Sequence, residues 1–316
     1  MKVIYIGTSQ FAAKILEKLS KTNYSPFLIV TNPDRPAGRG KKIKQTPVSL
    51  IAQEEKIKTL KPEKIIEIKD IIKKENPTLI IVCAYGGKIP KEILNIPQKG
   101  CLNIHPSLLP LYRGPSPISQ AIIDGKKETG VTIILMNEKI DQGPILSQEK
   151  VLIEKDCNFN QLSIKLVNKG FELILKTIPL WINNKITPIE QESSRATYTN
   201  MIKKEDGKID WNQSAQEIKR KVNGLNPNPG TFSFFKDKKT GEEKMIKIIE
   251  ADIQEQTKNG PFGPIGKVYV ATNNNLAVQS GKDFLIIKKL QIEGKNPVTS
   301  EEFMNGNIEF IGTILY

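Results

Sequence analysis

The order in which apolar residues change their spacing constrains this chain more than any other feature. Val3-Ile4-Tyr5-Ile6 is an unbroken apolar run closed by Gly7, the pattern of a strand buried on both faces. Residues 10–20 then place Phe11, Ile15 and Leu19 at helical spacing. The alternation continues. Strands are expected at 27–30, 79–82, 101–104 and 130–136, and helices at 50–57, 62–74, 118–123 and 159–182. Strands separated by helices predict an α/β architecture with an open, doubly wound, Rossmann-like sheet.

The periodicity fades between about Lys185 and Lys208, where Pro188, Ser193, Ser194 and Arg195 fall. We read 189–206 as a linker between a first domain, 1–188, and a second, 207–316. Beyond it come a short helix at 214–223 and the turn Asn226-Pro227-Asn228-Pro229-Gly230. Strand candidates follow at 231–235, 244–251, 266–271, 277–279 and 284–291. Short strands broken by turn residues predict a small β-barrel.

Whole-chain properties exclude several classes. No apolar run approaches the roughly 20 residues of a membrane helix, so no membrane partner is expected. The opening segment reads as a strand rather than a signal peptide, which predicts a cytoplasmic protein. Cys83, Cys101 and Cys157 are odd in number and show no CxxC spacing, so neither a disulfide framework nor a metal site is expected. The net charge of +13 favours a polyanionic partner, nucleic acid first. The abundance of Lys, Ile and Asn also fits codon bias, which would scatter lysines over the surface.

The residues suited to chemistry cluster at 103–110, Asn-Ile-His-Pro-Ser-Leu-Leu-Pro. Strand alternation puts Asn103 and His105 on one face, at the carboxyl end where open α/β sheets bind ligands. An Asn amide can donate to a developing oxyanion, and an imidazole can exchange a proton near neutral pH. His105 is the only histidine in the chain, and its position fits either catalysis or a loop cap. Asp141-Gln142-Gly143 follows the strand at 130–136; a carboxylate there could orient the imidazole, or the segment could be an ordinary turn. The Pro- and Gly-rich stretch 32–42 carries Arg35, Arg39, Lys41 and Lys42 and reads as a basic loop, either solvated or set against a phosphate backbone. Gly7-Thr8-Ser9 lacks the GxGxxG spacing of a dinucleotide site.

Taken together these strings resemble the methionyl-tRNA formyltransferase family over nearly the whole chain. The resemblance is carried by Gly7-Thr8 with Phe11-Ala12, by the basic stretch 33–42, and by Ala84-Tyr85-Gly86. It continues through 103–110, Arg113-Gly114, Glu128-Thr129-Gly130-Val131-Thr132, Asp141 with Gly143, and Ile209-Asp210-Trp211. It implies a formyltransferase domain followed by an OB-like barrel that touches tRNA. It implies 10-formyltetrahydrofolate as co-substrate, no metal, charged initiator tRNA as acceptor and a monomeric enzyme. Asn103, His105 and Asp141 would be catalytic. Ser107, Leu108, Leu109 and Pro110, bordered by Tyr85 and Gly86, would line the folate site. Arg35, Arg39, Lys41, Lys42 and Arg113 would contact tRNA. Two other readings stay open on the residues alone: a formyltransferase for a small amine, and an RNA-binding protein on a silent α/β scaffold.

Overall fold

The computed structural model describes residues 1–37, 40, 42–255, 263–271 and 274–316. Packing divides it into two units. One comprises Met1–Ile118, Lys127–Ile153 and Asn160–Met201; the other comprises Ser119–Lys126, Glu154–Phe159 and Ile202–Tyr316.

The first unit holds strands β1 (Val3–Gly7), β2 (Leu28–Val30), β3 (Arg35–Ala37), β4 (Lys42–Lys44), β5 (Lys58–Leu60), β6 (Leu79–Cys83), β7 (Cys101–His105), β8 (Glu128–Leu135) and β9 (Ile145–Leu152). Among the described residues, seven of them form a sheet in the order β5-β2-β1-β6-β7-β8-β9, and β3 pairs with β4 separately. From β5 to β7 the pairing is parallel. β8 and β9 run antiparallel, so the open sheet is mixed. β1 and β6 lie at its centre and every residue in both is buried, as their apolar runs require. β9, with Ser147, Gln148, Glu149 and Lys150, is a partly exposed edge strand that the apolar pattern did not reveal.

Helices α1 (Gln10–Leu19), α2 (Pro47–Glu54), α3 (Lys69–Glu75), α4 (Lys91–Leu94), α5 (Pro117–Ile123) and α6 (Phe159–Ile182) connect the strands. The Ser9 hydroxyl caps α1 by accepting from Ala12 N. α2 starts three residues before the expected 50–57 because Thr46 caps it and Pro47 occupies its first position. The expected helix at 62–74 is instead a 3-10 turn, Ile65–Ile68, followed by α3. α6 buries Leu162, Leu166, Leu173, Ile174 and Ile178 along one stripe.

The second unit contains α7 (Ala215–Leu225), strands β10 (Thr231–Lys236), β11 (Glu243–Gln254), β12 (Val268–Val270), β13 (Leu276–Gln279), β14 (Phe284–Ile292) and β15 (Val298–Thr299), and α8 (Ser300–Met304). Among the described residues these strands form an antiparallel sheet in the order β10-β11-β14-β13-β12, with β15 beside β14. Among the described residues the strand path does not close on itself. The chain end lies along both of its edges: Phe234 N donates to Tyr316 O, and Val268 N to Thr313 O. Ala215, Ile218 and Val222 of α7 share a core with Trp211, Ile246, Ile248, Leu285 and Ile287. Lys219 is also buried on α7, held by Asp156 at 2.6 Å and Asp252 at 3.0 Å. Burial alone would lower its pKa, but these two carboxylates outweigh that and raise it. Among the described residues no helix is long and apolar enough to cross a membrane.

Candidate active site

β7 ends at His105, the last residue paired to its neighbour, opposite Thr132 of β8. Asn103 and His105 share one face, as the alternation predicts, and both reach Asp141. Asn103 Nδ2 donates to Asp141 Oδ1 at 3.2 Å, and His105 Nδ1 stands 3.5 Å from the same oxygen. The other carboxylate oxygen accepts from Gly114 N at 2.8 Å. On the far side of the ring, His105 Nε2 faces Tyr112 O at 3.0 Å. A carboxylate and a carbonyl are both acceptors. The protonated ring, a donor at both nitrogens, satisfies both; a neutral ring satisfies only one. His105 is 4% exposed, so these contacts are sheltered from water.

The Asp141 carboxylate is delivered by the β8–β9 connection, and two glycines make its geometry accessible. A Cβ on Gly143 would lie 1.9 Å from Leu135 O, so only glycine lets the turn lie against the end of β8. Gly114 has φ +112, and a Cβ there would lie 2.5 Å from Thr199 O. Its amide can therefore approach Asp141 only without a side chain.

The segment after His105 is held from beneath by a side chain met in the sequence only as part of a family string, with no role assigned to it. Thr132 is fully buried on β8. Its hydroxyl donates to Ser107 O at 2.6 Å and accepts from Leu109 N at 3.2 Å and Gln148 Nε2 at 2.8 Å. Gln148 Nε2 also donates to Leu109 O at 2.9 Å. Ser107 and Leu109 face inward, with Ser107 Oγ donating to Leu111 O at 2.6 Å, whereas Leu108 and Pro110 are half-buried. Thr132→Val keeps the shape but strands three polar groups. It is expected to cost about 1–3 kcal/mol of stability, which denaturant titration checks.

Tyr85 and Gly86 follow β6, the strand beside β7, so their turn borders the same end of the sheet. Tyr85 is buried, and its carbonyl accepts from Asn32 Nδ2 at 3.3 Å. Gly86 is exposed with φ +81, and a Cβ there would meet nothing within 4 Å. Within the basic stretch, β3 and β4 pair antiparallel, Arg35 opposite Lys44 and Ala37 opposite Lys42. Arg35 pairs with Glu63 on the surface, Lys42 is exposed, and Arg39 and Lys41 lie outside the described residues. Arg113, expected at a tRNA surface, is 1% exposed. Its guanidinium is taken up by Gln191 and by the Tyr198 hydroxyl at 3.1 Å. As placed here it braces the site from within.

The sequence reading also left out Gln191, Thr197 and Thr199, all in the stretch read as a linker. Tyr112 N donates to Thr197 Oγ1 at 2.8 Å, Arg113 N to Thr197 O at 2.9 Å, and Thr199 N to Arg113 O at 2.7 Å. The threonines sit within Thr197-Tyr198-Thr199, a short alternating run whose length falls below what a periodicity search detects. Burial pushes the Cys83 and Cys101 thiols up to about 12, which withholds the thiolate that a nucleophile needs.

Two family models put this fold in a formyl-transferring class. A family model described as formyl transferase matches residues 1–178, and one described as formyl transferase, C-terminal domain, matches residues 201–307. The same fold occurs in WlaRD, a sugar 3N-formyl transferase solved in the presence of dTDP and 5-N-formyl-THF. It is 20% identical with a TM-score of 0.61, over 94% of this chain and 99% of that one. The methionyl-tRNA formyltransferase of Caldanaerobacter subterraneus subsp. tengcongensis is 37% identical over 100% of both chains. That of Carboxydothermus hydrogenoformans is 40% identical over 99% of this chain and 98% of the relative. The chain belongs to the methionyl-tRNA formyltransferase family.

Proposed function

We infer that this enzyme transfers the formyl group of 10-formyltetrahydrofolate to the free amino group of methionyl-initiator tRNA, with Asn103, His105 and Asp141 as its catalytic residues. The observation that carries the site is the convergence of Asn103 Nδ2 and His105 Nδ1 on Asp141 Oδ1. The neutral amine attacks the formyl carbon, forming a C–N bond and driving charge onto the formyl oxygen. The Asn103 amide, with one N–H beyond its bond to Asp141, donates to that oxygen. Protonated His105, its Nδ1 toward Asp141 and its Nε2 toward Tyr112 O, adds positive charge beside that oxygen. The bond from carbon to the folate nitrogen then breaks. The proton lost by the amine passes through the Asp141–His105 pair to that nitrogen, giving formylmethionyl-tRNA and tetrahydrofolate. Asp141 keeps the ring oriented through the transfer.

The 84–86 turn and the 107–110 segment flank one another at the ends of paired strands β6 and β7. The open space over Gly86 leaves backbone groups accessible to a flat heterocycle. Leu108 and Pro110 supply the apolar side of that folate site. In the second unit, the chain end lying along both sheet edges supports an OB-like barrel. The Lys208 ammonium, 5.6 Å over the Phe234 ring, is the kind of cationic aromatic surface nucleic acid uses. The enzyme is expected to be a cytoplasmic monomer.

Label transfer from formylfolate to charged initiator tRNA, set against amino sugars and other small amines, tests the acceptor; transfer to small amines alone overturns it. Arg39→Ala and Lys42→Ala are expected to weaken tRNA use roughly tenfold with folate KM unchanged. Each should reduce the salt slope of tRNA binding by about one. Equal loss toward both substrates would place these residues elsewhere than on the RNA.

A further inference from the structure

Asp141 has φ +53. Asp tolerates this left-handed conformation better than most residues bearing a side chain, and here Gln191 ties its backbone and that of Gly143. Its Nε2 donates to Asp141 O at 2.8 Å and to Gly143 O at 2.7 Å, gripping the turn on both sides of Gln142. Its Oε1 accepts from Arg113 Nε at 3.1 Å and Nη2 at 2.8 Å. A guanidinium has donors only. It must therefore face the oxygen of the Gln191 amide, which turns the amide N–H groups toward the two carbonyls. The buried Arg113 thus decides which end of Gln191 meets the Asp141 turn.

The same stretch holds the other side of the imidazole. Tyr112, whose carbonyl faces His105 Nε2, is tied through its N–H to Thr197 Oγ1 at 2.8 Å. Residues 191–199 therefore fix both acceptors of the ring, Asp141 at Nδ1 and Tyr112 O at Nε2. A segment with linker composition does this, and neither Gln191 nor Thr197 touches the reacting atoms.

We propose that Gln191, oriented by Arg113, is a positioning residue for formyl transfer, holding the Asp141 backbone so that Oδ1 stays on Asn103 and His105. The proposal rests on the reading of Asp141 as part of the catalytic machinery.

Gln191→Glu separates the two halves of the contact. A carboxylate keeps the acceptor for Arg113, and even strengthens it, but offers no donor to Asp141 O and Gly143 O and repels both. The expected result is a kcat lowered by about ten- to a hundredfold, since a displacement near 1 Å at a reacting group costs on that order. KM for folate and for tRNA should stay within about twofold and the melting temperature near wild type. Gln191→Leu, which loses both halves, should fall in kcat at least as far, with a lowered melting temperature. Asp141→Asn is the reference. If Gln191 acts through Asp141, the Asp141→Asn/Gln191→Glu double variant is no slower than Asp141→Asn alone.

Wild-type kcat in Gln191→Glu, with Asp141→Asn impaired, overturns the proposal and leaves the catalytic reading standing. Wild-type kcat in Asp141→Asn overturns the catalytic reading and this proposal with it. A Gln191→Glu variant that fails to fold, or multiplicative losses in the double variant, would assign Gln191 to the framework instead.

Discussion

Asp141→Asn is expected to lower kcat for formyl transfer to charged initiator tRNA by about a hundredfold or more, with little change in either KM. The size follows from the hydrogen-bond pattern. Gly114 N donates to one carboxylate oxygen at 2.8 Å, so an asparagine must keep its only oxygen there. Its NH2 then faces Asn103 Nδ2 and His105 Nδ1, donor against donor, where the carboxylate accepts from Asn103 and lies 3.5 Å from the ring nitrogen. The ring loses the acceptor that suits its protonated form, and the Asn103 amide loses its fixed orientation. Removing one positioned acid–base group lowers rates by about 10²–10⁴. His105→Ala should produce a loss of similar size while sparing tRNA affinity. Because the two act as a unit, the double variant should be scarcely worse than either alone. Steady-state kinetics with both substrates varied is the measurement; activity within threefold of wild type in either single variant would remove the pair from the mechanism.

Trp211→Ala is expected to destabilise the second unit by about 3–5 kcal/mol, the range for truncating a buried aromatic side chain. Trp211 is 3% exposed in the core with Ile218, Val222, Ile246 and Leu285. Its Nε1 donates to Ser233 Oγ at 2.9 Å, and that hydroxyl in turn donates to Tyr316 O at 3.0 Å. Truncation therefore opens a cavity and loosens the tie that holds the chain end along β10. Calorimetry should show the transition of this unit shifted down by roughly 10 °C or more, the first unit following its own transition. On the proposal that this unit contacts tRNA, tRNA KM should rise before kcat falls. An unshifted melting curve would mean the indole is not the keystone of this core. The Ile209-Asp210-Trp211 string, met in the sequence as a family marker, is thus a packing element: Ile209 and Trp211 are buried in one core.

The fold was legible wherever burial is two-sided or striped. β1, β6 and β7 showed as apolar runs, and α6 showed its full span, because a strand buried on both faces or a long amphipathic helix leaves a continuous signature. β5 is three residues long and β9 exposes alternate residues from Gln148 onward at the sheet edge, so neither has an apolar run to detect. The antiparallel direction of β8 was equally invisible, since strand direction is set by the connection and not by composition.

The site divides along the same line. Asn103 and His105 are two residues apart on one strand, so the period of the strand alone put them on one face at its carboxyl end. Their neighbours come from far along the chain: Asp141 is separated from Asn103 by 38 residues, Gln191 from Asp141 by 50 and Gln191 from Arg113 by 78. A hydrogen bond across such a gap imposes no spacing on the sequence, and Thr132 or Gln191 reads as an ordinary polar residue until its burial is known. The sequence by itself determined which groups could do chemistry and which strand end would present them. Only the tertiary structure decided which acceptors face the imidazole and what holds them, because directional contacts are fixed by where the backbone brings distant atoms together, not by residue order.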